Sequence, residues 1–229
     1  MPPYLKRKAF TSYSVRPTKK AKFVVARQTR VQQYNVPVRY AKPPNKVELK
    51  YIEGVDSEDI ASTGYIVLLN GLANGTGPNQ RIGSNVFLND LHFNLSCKLQ
   101  VANLPVLVGS NITVSIVYDS QTNGALPGIT TIYNTVSPDA LTNAATRSRF
   151  TILWEKNYAA YADATTGISG GIQKMWLNQK ISMKGKKMEF DNTAAGITDI
   201  EKGSIYMVCR TNDNLKFEVQ ICSRLQFFD

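Results

Sequence analysis

Histidine and cysteine are nearly missing from this sequence, which holds one of the former, His92, and three of the latter, Cys97, Cys209 and Cys222. The cysteines have no paired spacing, so a zinc site, which needs clustered Cys and His, is excluded, as is a disulfide scaffold. Long apolar runs are missing too. A membrane helix needs about 20 consecutive apolar residues, whereas the best stretch, Leu104 to Val108, stops after a handful. No membrane insertion is expected. The N-terminus lacks the apolar block and small-residue cleavage site of a secretory signal, so the expected compartment is reducing and the three cysteines are read as free, partly buried thiols.

Acidic residues are scarce in one place only. Residues 1–50 contain thirteen Lys and Arg against a single acid, Glu48, a net charge of +12, while residues 51–229 carry a net −2. The same fifty residues hold six of the ten prolines and no sustained helical or strand period. This composition predicts a disordered basic arm over 1–50 and one folded body over 51–229, for which 43% hydrophobic residues supply ample core. Tyr4, Phe10, Tyr13, Phe23, Tyr34 and Tyr40 are interleaved with the cations. Aromatic rings stack on unpaired bases while Lys and Arg neutralise phosphates, so the arm suits single-stranded nucleic acid better than duplex. The nucleic-acid-binding candidates are Lys6, Arg7, Lys8, Arg16, Lys19, Lys20, Lys22, Arg27, Arg30 and Arg39. A solubilising or membrane-surface tail is the bland alternative, against which stands the lack of an amphipathic helix. Lys6-Arg7-Lys8, then ten residues, then Lys19-Lys20-Ala21-Lys22 also resembles a bipartite nuclear import signal.

The body reads as all-β. Leu91, Phe93, Leu95, Cys97, Leu99 and Val101 alternate with His92, Asn94, Ser96, Lys98 and Gln100, the pattern of a half-buried strand. Weaker copies run through Ile112, Val114, Ile116 and Tyr118, and through Phe150, Ile152 and Trp154. Ile205, Met207 and Cys209 lead to Thr211-Asn212-Asp213-Asn214, after which Leu215 to Phe227 alternate again, which predicts a hairpin. Ser137-Pro138-Asp139 has the chemistry of a helix start, giving a short helix to about Ala144. Gly71 to Gly83 and Asn157 to Gly171 read as long loops. Many strands joined by long loops indicate a sandwich or jelly roll rather than a parallel sheet.

Catalytic chemistry is looked for without success. Gly167-Ile168-Ser169-Gly170-Gly171 matches G-x-S-x-G, but no apolar strand precedes it, and the only possible histidine base, His92, lies on the polar side of a predicted strand. Asp56, Glu58 and Asp59 read as a solvated acidic turn rather than a calcium site. Gly75-Thr76-Gly77-Pro78 lacks the Lys-Ser/Thr ending of a phosphate loop, and the sequons at Asn74, Asn94 and Asn111 read as chance matches. The chain is expected to be no enzyme, with no metal and no cofactor.

Two longer stretches carry a resemblance. Gly75-Thr76-Gly77-Pro78-Asn79-Gln80-Arg81-Ile82-Gly83 stands directly before a strand, and Val117-Tyr118-Asp119-Ser120-Gln121-Thr122-Asn123-Gly124-Ala125-Leu126-Pro127 closes a later one. Together with the closing Arg224-Leu225-Gln226-Phe227-Phe228-Asp229, they resemble the capsid proteins of small circular single-stranded DNA viruses that encode a replication initiator. The resemblance implies a single eight-stranded antiparallel jelly roll of two sheets, a homo-oligomeric icosahedral T=1 shell of 60 copies, a packaged single-stranded DNA genome, and residence in the virion and, during assembly, the host nucleus. Host nuclear import receptors become expected partners. It carries over no catalytic residue. Gly77, Gln80, Arg81, Gly83, Asp119, Gln121, Asn123, Gly124 and Pro127 are the family-motif positions, with Arg81, Asp119, Asn123 and Gly124 read as turn and interface determinants. The rival readings are a cellular β-sandwich that binds single-stranded nucleic acid as a monomer, and a hydrolase acting through Ser169.

Overall fold

Among the described residues, ten strands, all paired antiparallel, build two sheets whose facing sides bury the apolar half of each alternating pattern. The computed structural model describes residues 48–100, 108–162, 175–211 and 216–229. In chain order the strands are β1 (Leu49–Ile60), β2 (Tyr65–Leu68), β3 (Asn85–Gln100), β4 (Val108–Asp119), β5 (Phe150–Ala162), β6 (Met175–Ser182), β7 (Lys187–Phe190), β8 (Ile200–Lys202), β9 (Ser204–Thr211) and β10 (Lys216–Phe228). One short helix, α1 (Ile129–Ile132), lies between β4 and β5.

Sheet A has the order β1-β10-β3, and β3 continues to β6 along one stretch of its edge and to β7, followed by β8, along another. Sheet B has the order β2-β9-β4-β5. Eight principal strands therefore form two four-stranded sheets, and the chain changes sheet at every connection between them except β4 to β5. This is the winding of a jelly roll, with β7 and β8 added to the edge of sheet A. Leu91, Phe93, Leu95, Cys97 and Leu99 from β3 meet Ile112, Val114 and Ile116 from β4 and Ile205, Met207 and Cys209 from β9 in the core between the sheets.

The two faces turned away from that core differ. The outer face of sheet B is covered by the connection from β4 to β5, whose Ile129, Ile132 and Tyr133 bury against Val117, Phe150, Tyr206 and Val208 in a second core. That is why every residue of β9 is buried. A bulge opposite Ile116 and Val117 turns β5 over, so Phe150 and Ile152 pack in the second core while Trp154 packs in the first. The three residues do not share the single face that their spacing suggests.

Four expectations are corrected here. The helix forms at Ile129–Ile132, and 137–144 is a series of bends and turns. β9 and β10 are not a hairpin, because β9 pairs with β2 and β4 whereas β10 pairs with β1 and β3. Alternation alone cannot tell a tight hairpin from a chain that crosses between sheets. The loop read from Asn157 begins later, since β5 runs to Ala162. Asp56, Glu58 and Asp59 lie inside β1 rather than in a turn, and Asp56 accepts a hydrogen bond from the Tyr65 hydroxyl at 2.9 Å.

Candidate functional site

The first motif stretch folds as a loop around a buried cation. Arg81, 1% exposed, donates from Nε to the carbonyl of Leu72 at 3.1 Å and from its two terminal nitrogens to the carbonyls of Gly83 and Asn192. Its guanidinium lies 4.0 Å from the centre of the Phe190 ring. Burial pulls the Arg81 pKa down, while the fields of Asp199 and Asp229 oppose that shift. Its donors are thus spent on backbone carbonyls and are withheld from any phosphate. Gly83 sits at φ +84°, a conformation that favours glycine, and so places its carbonyl for Arg81. Gln80 Oε1 accepts from the Gly77 N–H at 2.9 Å and closes the loop on itself.

This loop holds the start of β1. Lys50, itself buried, donates to the Gln80 carbonyl at 3.1 Å and pairs with Asp229 at 2.6 Å, and the Tyr51 N–H reaches the Pro78 carbonyl at 3.3 Å. The first motif, the final residue and the first strand after the basic segment are fastened together. Sequence reasoning assigned no role to Lys50 or Asp229, which lie 179 positions apart in the chain.

The second motif anchors the cover over sheet B. Asp119, 0% exposed, accepts from Arg149 Nε and a terminal nitrogen at 2.7 Å each, from the Gln121 N–H at 3.0 Å and from the Tyr206 hydroxyl at 3.2 Å. The hydrogen bond to Asp119 raises the Arg149 pKa, and burial together with Asp119 pushes the Tyr206 hydroxyl up. Asn123 and Gly124, at φ 57° and 65°, make the turn that follows, a pair of left-handed residues that Asn-Gly suits. Gln121 is exposed, and Pro127 is half-buried just before α1.

A second charged cluster was missed in the sequence. Glu155 Oε2 accepts from Arg210 at 2.8 Å, Ser115 at 2.8 Å and Tyr133 at 2.9 Å. Arg210, buried, also donates to the carbonyls of Ser137 and Ala140 at 3.1 and 2.9 Å and stacks 3.6 Å from the Tyr133 ring centre. One signal was present: Tyr206, Val208 and Arg210 interleave with Ile205, Met207 and Cys209, so both faces of that strand are set for burial.

The remaining site residues divide simply. Lys6, Arg7, Lys8, Arg16, Lys19, Lys20, Lys22, Arg27, Arg30 and Arg39 lie outside the described residues, as does the Gly167–Gly171 match with Ser169. His92 points to the outer face of sheet A in the cross-strand row Glu53, Arg224, His92, Lys180. Among the described residues no three His, Cys, Asp or Glu gather as a metal site, and no helix is long and apolar enough to cross a membrane.

The fold therefore fixes loops and a cover with buried charges. The match to known proteins extends over both segments of the chain: the family model described as "Geminivirus coat protein/nuclear export factor BR1 family" fits residues 5–228. The chain belongs to this family. No curated protein matches it individually. Among solved structures, the infectious bursal disease virus VP2 subviral particle matches at 10% identity and a TM-score of 0.24, over 80% of this chain and 33% of that one. The chain thus spans about a third of the VP2 chain's length. Membership of this family supports a capsid role of single-stranded DNA virus type for the chain.

Proposed function

We propose that this coat-family protein self-assembles into a small icosahedral shell, a T=1 particle of sixty copies, and packages circular single-stranded DNA through residues 1–50. The observation that carries the reading is the charge partition, +12 in those fifty residues against −2 in the remainder. Sixty arms of +12 bring 720 positive charges, enough to neutralise on the order of several hundred phosphates by counterion release. The near-neutral body meanwhile lets subunits pack without strong mutual repulsion. Lys6, Arg7, Lys8, Arg16, Lys19, Lys20, Lys22, Arg27, Arg30 and Arg39 supply the phosphate contacts. The motif residues Gly77, Gln80, Arg81, Gly83, Asp119, Gln121, Asn123, Gly124 and Pro127 set the loop shapes that copies present to one another.

Deleting residues 1–45 tests the reading. Shells of normal appearance by negative-stain microscopy that lack the nucleic-acid excess in the 260/280 nm absorbance ratio are expected. Deleted shells that package DNA at the full level contradict it.

A second reading follows from the family description, which also names a nuclear export factor. The two basic clusters, Lys6-Arg7-Lys8 and Lys19-Lys20-Ala21-Lys22, favour passage through the host nucleus with the help of import receptors. Converting both clusters to Ala in a fluorescent fusion should leave the protein in the cytoplasm. Dispersed protein that binds single-stranded DNA and never closes into particles would favour this shuttle over the shell.

A further inference from the structure

The outer face of sheet A contains a groove of about 400 Å3 that none of the roles above uses. Its lining comes from four strands: Glu53 and Val55 of β1, Cys222 and Arg224 of β10, His92 and Asn94 of β3, and Asn178 of β6, with Gln226 at one end. The volume falls within the roughly 300–1,000 Å3 of small-ligand sites. Three features define what would fit.

The first is charge. Three cations of this face each have a carboxylate: Arg224 with Glu53, Lys180 with Asp90 at 2.9 Å, and Lys98 with Glu218 at 3.9 Å. A face neutralised in this way has little to offer a phosphate. The second is hydrogen-bonding capacity. Asn178 Nδ2 donates to Asn94 Oδ1 at 2.7 Å, which leaves the Asn94 amide N–H and the Asn178 carbonyl oxygen as adjacent donor and acceptor. His92 Nε2 is shielded from solvent and has no partner among the described residues, and a buried polar atom left unmatched calls for one. The third is an aromatic surface. Trp176 is 71% exposed on β6, in the cross-strand row next to that of Asn178 and Asn94 and on the same face.

We propose that this groove takes an unpaired base of single-stranded DNA, held edge-on by Asn94 and Asn178 and stacked against Trp176, while residues 1–50 hold the phosphates. The inference rests on the packaging reading and adds to it a contact with bases, which survives salt where phosphate contacts fade. Cys222 is the built-in reporter, because it lines the groove and is exposed whereas Cys97 and Cys209 are buried.

The experiment measures alkylation of Cys222 by N-ethylmaleimide in the full-length protein, alone, with oligodeoxythymidylate, and with an abasic strand of equal length. Binding of both strands is followed in parallel by fluorescence anisotropy. The base-bearing strand is expected to slow alkylation about tenfold, in line with the stacking and hydrogen-bond energy of one base, and the abasic strand to bind and leave the rate unchanged. The double variant Asn94→Ala, Asn178→Ala, altered only on an outer face, should lose about tenfold in affinity for oligodeoxythymidylate at high salt and nothing for the abasic strand. Binding without protection, or equal protection by both strands, overturns the groove and leaves packaging intact. Failure of either strand to bind overturns both. Protection on assembly into DNA-free particles overturns it as well, and makes a second copy the occupant of the groove.

Discussion

Asp119 is a carboxylate with no exposure to water, and it is tolerated because four donors reach it, two of them from Arg149. Replacing Arg149 by Leu would leave that charge without its cation. The expected loss is about 3–5 kcal/mol of unfolding free energy in a urea titration, and adding Asp119→Asn to the same chain should recover part of it. The thiols give a second residue-level prediction. Burial pushes the Cys97 pKa up to about 12 and raises that of Cys209 well above its ordinary value. The folded pKa is raised, so the unfolded chain gives up its protons first. The stability contribution is full below about pH 9 and is lost progressively as pH climbs toward 12. Denaturation midpoints measured from pH 8 upward should therefore fall, and the fall should be shallower in Cys97→Ala, once its own constant loss of core packing is subtracted.

At the scale of elements, the cover over sheet B shows how tertiary contacts displace a local preference. Ser137-Pro138-Asp139 has good helix-start chemistry, yet the carbonyls of Ser137 and Ala140 accept from Arg210 and that of Pro138 accepts from Thr113 at 2.9 Å. Carbonyls engaged from below by strand side chains hold the segment in turns. The helix forms instead at Ile129–Ile132, a length too short to be stable alone, because Ile129 and Ile132 bury against β4 and β9. Arg210→Met should loosen this cover while the sheets persist. The expected sign is preferential protease cleavage between residues 133 and 146, at a protease level that leaves the unaltered protein whole, with little change in far-UV circular dichroism. Cleavage spread evenly over the chain would mean that Arg210 supports the whole sandwich instead. In β1, by contrast, the start of the strand is secured through Lys50, Gln80 and Asp229, so removing Asp229 should loosen that end first.

At the scale of the whole molecule, the separation of charge sets how the protein meets nucleic acid. Binding through residues 1–50 should weaken steeply as salt rises and show little sequence preference, because neutralised phosphates release counterions whatever bases they carry. A filter-binding series over salt concentration checks this, and a flat dependence would contradict it. The body, at −2 overall, contributes little to that slope.

The amino-acid sequence on its own determined the class of the protein, since period-2 alternation in β3 and β4 dictates strands and the lopsided charge dictates a basic segment attached to a near-neutral body. The two motif stretches were legible as well, because Asn123-Gly124 and Gly83 specify backbone conformations locally. Sheet membership was not legible. An alternating strand buries one face in either sheet, and only the pairing of β9 with β4 and of β10 with β3 decides that the last two strands part company. Nor could the chain alone reveal that Arg81 and Arg210 are buried and that Arg149 pairs with a buried carboxylate, since a basic residue reads as exposed until distant carbonyls and carboxylates close around it. Local geometry is written in short spacings. Which charges face water is decided by contacts between residues far apart in the chain, and those exist only once the sheets have packed.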